Sequence, residues 1–206
     1  MKQRSTIRLF VVAVFILPLL AWFLLSWYEN KIESLPVLGK SKEHRIAGFS
    51  FINQDGQQKT LANWENKIVV ADFFFTHCPV VCPKMTRSLK KIEQQFSNND
   101  ALHIASFTVD PARDDANRLK EYANQFEINN HRWDLLTGDK KELYKLARNS
   151  FMVVATDGDG GPDDFIHSDK LVLIDTKKRI RGYYNGTDEK EVEQLITDIK
   201  KLKHEN

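Results

Sequence analysis

The stretch from Ala71 to Met85 reads ADFFFTHCPVVCPKM and holds both cysteines of a 206-residue chain, Cys78 and Cys82. A cross-link between residues this close closes a very short loop and removes little entropy from the unfolded chain, so stabilisation is a poor reason for the pair. Chemistry is a better one. The spacing lets the two Cβ atoms come near enough for a disulfide, and equally lets both sulfurs reach one metal ion. It departs from the CxxC of dithiol reductases and covalent haem sites, and Thr76 lies too close to Cys78 for a PxxxTxxC peroxidase pattern. Pro83 fits the first turn of a helix, where a missing N–H costs little. Cys82 would then stand at the positive end of that helix, which lowers a thiol pKa, and a protonated His77 would help.

Two thiolates leave a small metal ion short of ligands, so a third donor is sought among the six histidines. His44 and His204 fall in charged, aperiodic segments near the ends of the soluble chain. His103 and His131 introduce apolar runs and read as packing or edge residues, and His77 is too near Cys78 to fold back onto the same ion. His167 ends a glycine-rich, acidic loop, TDGDGGPDDFIH, and directly precedes the apolar run KLVLID. Position alone leaves it open between a ligand and an ordinary loop histidine. The same loop begins like a calcium loop at Asp157 and Asp159, but Ser168 stands where the bidentate glutamate is required. Asp110 and Arg113, in DPARDD, shape a turn or helix start near the cysteines.

The elements that must position these residues follow from periodicity. FSFINQDGQQKTL alternates around Asp55 and Gly56, which predicts a β-hairpin. KIVVADFFF, Lys67 to Phe75, is an almost unbroken apolar run, as expected of a strand covered on both faces, and it delivers the cysteines from its C-terminal end. Met85, Leu89, Ile92 and Phe96 recur at helical spacing after Pro83. LHIASFTV then reads as a strand, DDANRLKEYANQF as a helix, RWDLLT as a short strand and KKELYKLARNS as a helix. KLVLID and RIRGYY form a closing hairpin, and a last helix carries Val192, Leu195, Ile196, Ile199 and Leu202 on one face, with Thr187 as its N-cap. A hairpin, a βαβ unit and a ββα ending, with a dithiol between a central strand and the next helix, make an α/β, thioredoxin-like sandwich.

The beginning of the chain differs in kind. Residues 9–27 carry no charge and, as a helix of about 1.5 Å per residue, would cross one bilayer. Lys2, Arg4 and Arg8 precede this stretch and no basic excess follows it, so the expectation is one transmembrane helix with residues 1–8 in the cytoplasm and the rest outside. Residues 28–45 read as a tether, and 46–206 as the domain. A short N-terminus points to a bacterial inner membrane and a C-terminal domain in the periplasm, where thiols are oxidised unless reduced or metallated. A formal net charge of +2 and the lack of a basic, aromatic-interleaved patch argue against nucleic acid.

The segments FFFTHCPVVCPKM, TVDPARDD and DDFIHSDKLVLID, in this order, resemble the Sco/SenC family of copper-binding assembly factors for cytochrome c oxidase, over about residues 46–203. The resemblance implies copper as the metal, Cu(I) or Cu(II), with Cys78, Cys82 and His167 as its ligands and the two cysteines also as a redox-active pair. It implies delivery of copper to the CuA site on oxidase subunit II, with that subunit or its assembly factors as partners and a thiol reductant to keep the pair reduced. Val80 departs from the acidic residue that many members carry there. Thiolates plus imidazole suit copper, although Cys₂His with an open position also describes zinc. Two other functions stay open: a thiol–disulfide oxidoreductase acting on target cysteines, and a copper or redox sensor.

Overall fold

In a computed structural model, the described residues are 12–32, 34–41, 43–97, 100–128, 131–154, 161 and 168–205. They fall into two compact units, Met1–Ser34 and Leu35–Asn206.

The first unit corrects the expected transmembrane helix: among the described residues, no helix is long and apolar enough to cross a membrane. A π-helical turn, Val12–Ile16, is followed by α1, Leu17–Ile32, of 16 residues. At about 1.5 Å per residue α1 is roughly 24 Å long, short of a hydrocarbon core of about 30 Å, and its last turn includes Glu29 and Lys31. Pro18 explains where α1 starts. It has no N–H to give to the carbonyl four residues earlier, so the α-helical ladder stops there and the preceding turn takes another register.

In the second unit the α/β sandwich and its N-terminal hairpin are present. β1 (Ser50–Asn53) and β2 (Gln58–Thr60) pair antiparallel, with Gly56 in the turn at φ +72°. β3 (Ile68–Phe74), β4 (Leu102–Thr108) and β5 (Trp133–Thr137) are mutually parallel, and β6 (Lys170–Ile174) and β7 (Ile180–Asn185) form the closing antiparallel hairpin. The sheet order is β2-β1-β5-β4-β3-β6-β7, so β3 lies inside the sheet, between β4 and β6.

Every residue of β3 is buried, as its apolar run requires, and alternate residues serve two cores. Ile68, Val70 and Phe74 pack with the inward faces of α2 (Val81–Gln95), α3 (Ala116–Gln125) and α5 (Glu189–Glu205). Val69, Ala71 and Phe73 pack on the other side with Trp64, Phe107, Phe151 and the residues of α4 (Lys140–Lys145), which continues as a π-helical turn, Leu146–Ser150. On that side Phe107 meets Phe49, Phe51, Trp64 and Phe151 edge to face, contacts worth about 0.5–1.5 kcal/mol each beyond their burial.

The segment from Leu35 onward is fastened to this unit. Leu38 bridges Ile180, and the buried Arg181 donates to the carbonyls of Leu35 and Pro36 while pairing with Asp175 and Glu205. At the last helix the N-cap is Asp188, not Thr187. Asp188 accepts from the Lys190 N–H, whereas both the Thr187 N–H and its hydroxyl turn back to Asn185 Oδ1.

Candidate metal centre

β3 ends at Phe74, and the chain turns at once. The Cys78 N–H donates to the Phe75 carbonyl at 3.3 Å, closing a turn with Thr76 and His77 at its centre. The helix α2 starts at Val81, and the backbone N–H of Cys82 donates to Cys78 Sγ at 3.2 Å. The positive helix end therefore serves Cys78 rather than Cys82, the reverse of the expectation. Cys82 is already inside the helix, with its side chain turned into the core and 4 % exposed, while Cys78 is partly exposed.

This difference sets the chemistry of the pair. Burial pushes the Cys78 thiol up, but the backbone N–H and thiol of Cys82 and the N–H groups of Val80 and Val81 outweigh it, leaving Cys78 below the ordinary thiol value. Burial pushes Cys82 well above that value. A backbone contact from Phe75 offsets little of this, and the charges of Cys78 and Asp72 add to it. The result is one accessible thiol that ionises more readily than usual, backed by one that holds its proton. Cys82 is also held through its backbone, since the Thr86 hydroxyl donates to its carbonyl at 2.9 Å and contacts the Tyr122 hydroxyl at 2.7 Å.

Asp72 escaped the sequence reading. It lies in β3 on the same face as Val70 and Phe74, the side on which Cys82 packs, and is 2 % exposed. Burial pushes its carboxyl up to about 7, partly countered by the Ser106 hydroxyl that donates to it. Ser106 in turn accepts from Trp133 Nε1 at 2.8 Å. A charged residue within an otherwise apolar doubly covered strand was the signal for it.

A cavity of about 520 Å³ opens beside the dithiol, bounded by Phe75, Cys78, Val80, Cys82, Val153 and Ser168 among others. Val80 and Val81 are 55 % and 42 % exposed, so the rim between the cysteines is apolar. A second cavity, about 620 Å³, lies against His44, Phe49 and Ser150 and contains neither cysteine.

His167 lies outside the described residues, as do Asp157 and Asp159. Ser168, which follows His167 in the chain, borders the dithiol cavity. Asp169 is fixed beside it: its carbonyl accepts from the Gly186 N–H at 2.7 Å and its carboxylate from Asn185 Nδ2 at 2.6 Å. Among the described residues no group of three or more His, Cys, Asp or Glu is placed to hold a metal ion. His103 pairs with Asp134 at 3.0 Å, and its strand register opposite Val69 puts it at the far end of the sheet from the cysteines. His44 contacts the Ser150 carbonyl, and His77 stands beside Thr76 Oγ1. Asp110 and Arg113 form an ion pair at 3.7 Å in the turn after β4.

A family model described as SCO1/SenC matches residues 39–204. The SCO1 protein homolog of Bacillus subtilis is 30% identical over 159 residues, covering 76% of this chain and 82% of that protein. Two solved structures share the fold. BsSco, a member of the Sco family of cytochrome c oxidase assembly proteins, has 28% identity and a TM-score of 0.69, covering 82% of this chain and 97% of its own. Arabidopsis thaliana ScoI, with copper bound, has 25% identity and a TM-score of 0.60, covering 75% of this chain and 97% of its own.

Proposed function

Because this chain belongs to the SCO1/SenC family, whose copper-binding members serve cytochrome c oxidase assembly, we propose that it carries one copper ion on Cys78, Cys82 and His167. In this reading it hands the ion to the CuA site of oxidase subunit II, on the periplasmic side of a bacterial cell. The observation that supports the ligand set is the cavity shared by both cysteines and by Ser168, the neighbour of His167 in the chain. Copper suits these donors, since thiolates favour Cu(I) and an added imidazole extends the site to Cu(II).

The two thiols divide the work. Cys78, already inclined to the thiolate, meets the ion first at the cavity. Cys82 gives up its proton as the second Cu–S bond forms, because a coordinating thiol is deprotonated outright. Two thiols and Cu(I) thus become two thiolates and a bound ion, with a proton released for each thiol ionised. The oxidised pair would hold no ion until a thiol reductant supplied two electrons and two protons to the disulfide.

Thiol–disulfide exchange on a target's cysteines is a second reading, supported by the same asymmetry, because an accessible nucleophile with a buried partner is what exchange requires. His167→Ala separates the two. The variant is expected to retain copper less well, most clearly Cu(II), in competition with a chelator, while its dithiol still oxidises and exchanges with a small disulfide. Undiminished Cu(II) affinity would remove His167 from the ligand set.

A further inference from the structure

Behind the dithiol turn stands a carboxylate that the copper chemistry does not use. Asp114 lies in the connection between β4 and α3 and is fully buried at 0 % exposure. One of its oxygens accepts from the Thr76 hydroxyl at 2.5 Å, and the other from the Thr76 N–H at 3.1 Å and the Thr108 hydroxyl at 2.6 Å. Thr76 therefore gives both of its donors to one carboxylate. Its hydroxyl also accepts from Arg118 Nε at 3.2 Å, so the residue is tied to the start of α3 as well.

Thr76 is central in the turn from Phe75 to Cys78. Fixing its backbone N–H and its side chain together fixes the rotation of that turn, and hence the direction in which Cys78 leaves it. In that direction Cys78 Sγ accepts from the Cys82 N–H at 3.2 Å. Hydrogen bonds to a carboxylate are the stronger kind, and here they are shielded from water. The Thr108 contact differs in consequence: it ties the same carboxylate to the end of β4, opposite Phe74, and not directly to the turn that carries Cys78.

We infer that Asp114 is a positioning residue for the copper site, acting through Thr76 to hold Cys78 Sγ where Cys82 and the ion require it. The inference rests on the copper-carrier reading above. Supporting residues behind metal ligands typically carry about 10- to 100-fold in affinity, and Asp114→Asn is expected to weaken Cu(I) binding within that range.

The test measures Cu(I) affinity by chelator competition, and thermal midpoints, for wild type, Asp114→Asn, Thr76→Val, Thr108→Val and the Asp114→Asn/Thr76→Val pair. The expected result is weakened copper binding in Asp114→Asn, a smaller loss in Thr76→Val, and no further loss when the two are combined. Thr108→Val, which removes a contact to the carboxylate but none to the turn, should lower the midpoint and weaken copper binding less than Thr76→Val does. Wild-type affinity in a folded Asp114→Asn protein overturns the inference, as does a Thr108→Val loss equal to that of Thr76→Val, which would mark a general effect of stability. If Asp114→Asn does not fold, Thr76→Val decides alone, and unchanged affinity there overturns it. A wild-type protein that binds no Cu(I) would instead overturn the copper-carrier reading itself.

Discussion

Cys78→Ser and Cys82→Ser are each expected to abolish tight Cu(I) binding, a larger loss than the roughly 10- to 100-fold that removal of a supporting residue brings. A hydroxyl in place of a thiolate is a hard, neutral donor where a soft, charged one is needed. The two variants should nevertheless differ in the thiol that remains. Cys82→Ser keeps Cys78 at the helix end and partly exposed, so an alkylating reagent should find a fast-reacting group near neutral pH. Cys78→Ser keeps only the buried, raised Cys82, which should react slowly. Chelator competition and alkylation rates on the same samples check both parts. Native affinity in either variant, or equal alkylation rates, would contradict the assignment.

Asp72→Asn is expected to flatten the dependence of stability on pH. The carboxyl moves from an ordinary value of 3.8 to about 7 in the folded protein. The folded state therefore holds a proton that the unfolded chain releases. Its stabilising effect is complete below about pH 3.8, fades as pH rises through the window between the two values, and is gone above about pH 7. At about 1.36 kcal/mol per unit this amounts to about 4 kcal/mol across the window. An asparagine keeps an oxygen to accept from Ser106 and has no proton to lose. Denaturant midpoints measured from pH 4 to pH 8 should fall steeply for the parent and much less for the variant. Parallel curves would mean that Asp72 is not the group responsible.

The sheet and the dithiol turn were legible because their signals are local. The apolar run of β3, the helical spacing of Met85, Leu89 and Ile92, and the hairpin at Gly56 each declare an element without help from the rest of the chain. The order of the two thiols was not legible in this way. Sequence position brought Cys82 to the helix end, but the N–H that matters points outward to the residue before the helix, and the first buried position of α2 falls on Cys82 itself. Among the described residues no helix meets the expected membrane span: hydropathy counts apolar residues but not where an α-helix can begin, and α1 begins only at Leu17, beside Pro18.

Asp114 shows a different limit. The DPARDD segment drew attention to Asp110 and Arg113, yet the residue that reaches the cysteine turn is Asp114, through contacts with Thr76 that lie 38 positions away in the chain. Only the parallel pairing of β3 with β4 brings the two ends together. His167 was singled out by resemblance, and the one structural support for its role comes from its neighbour Ser168 at the dithiol cavity.

The most direct measurement is transfer. The reduced chain loaded with one copper per molecule is mixed with the copper-free, reduced CuA domain of oxidase subunit II, and copper is followed on both proteins after separation. Copper leaving the chain and appearing in the CuA domain, with much less transfer from His167→Ala, is the result predicted here. Copper that stays on the chain, together with reduction of an oxidised CuA domain equally well by wild-type and His167→Ala chains, would contradict delivery and leave thiol exchange as the function.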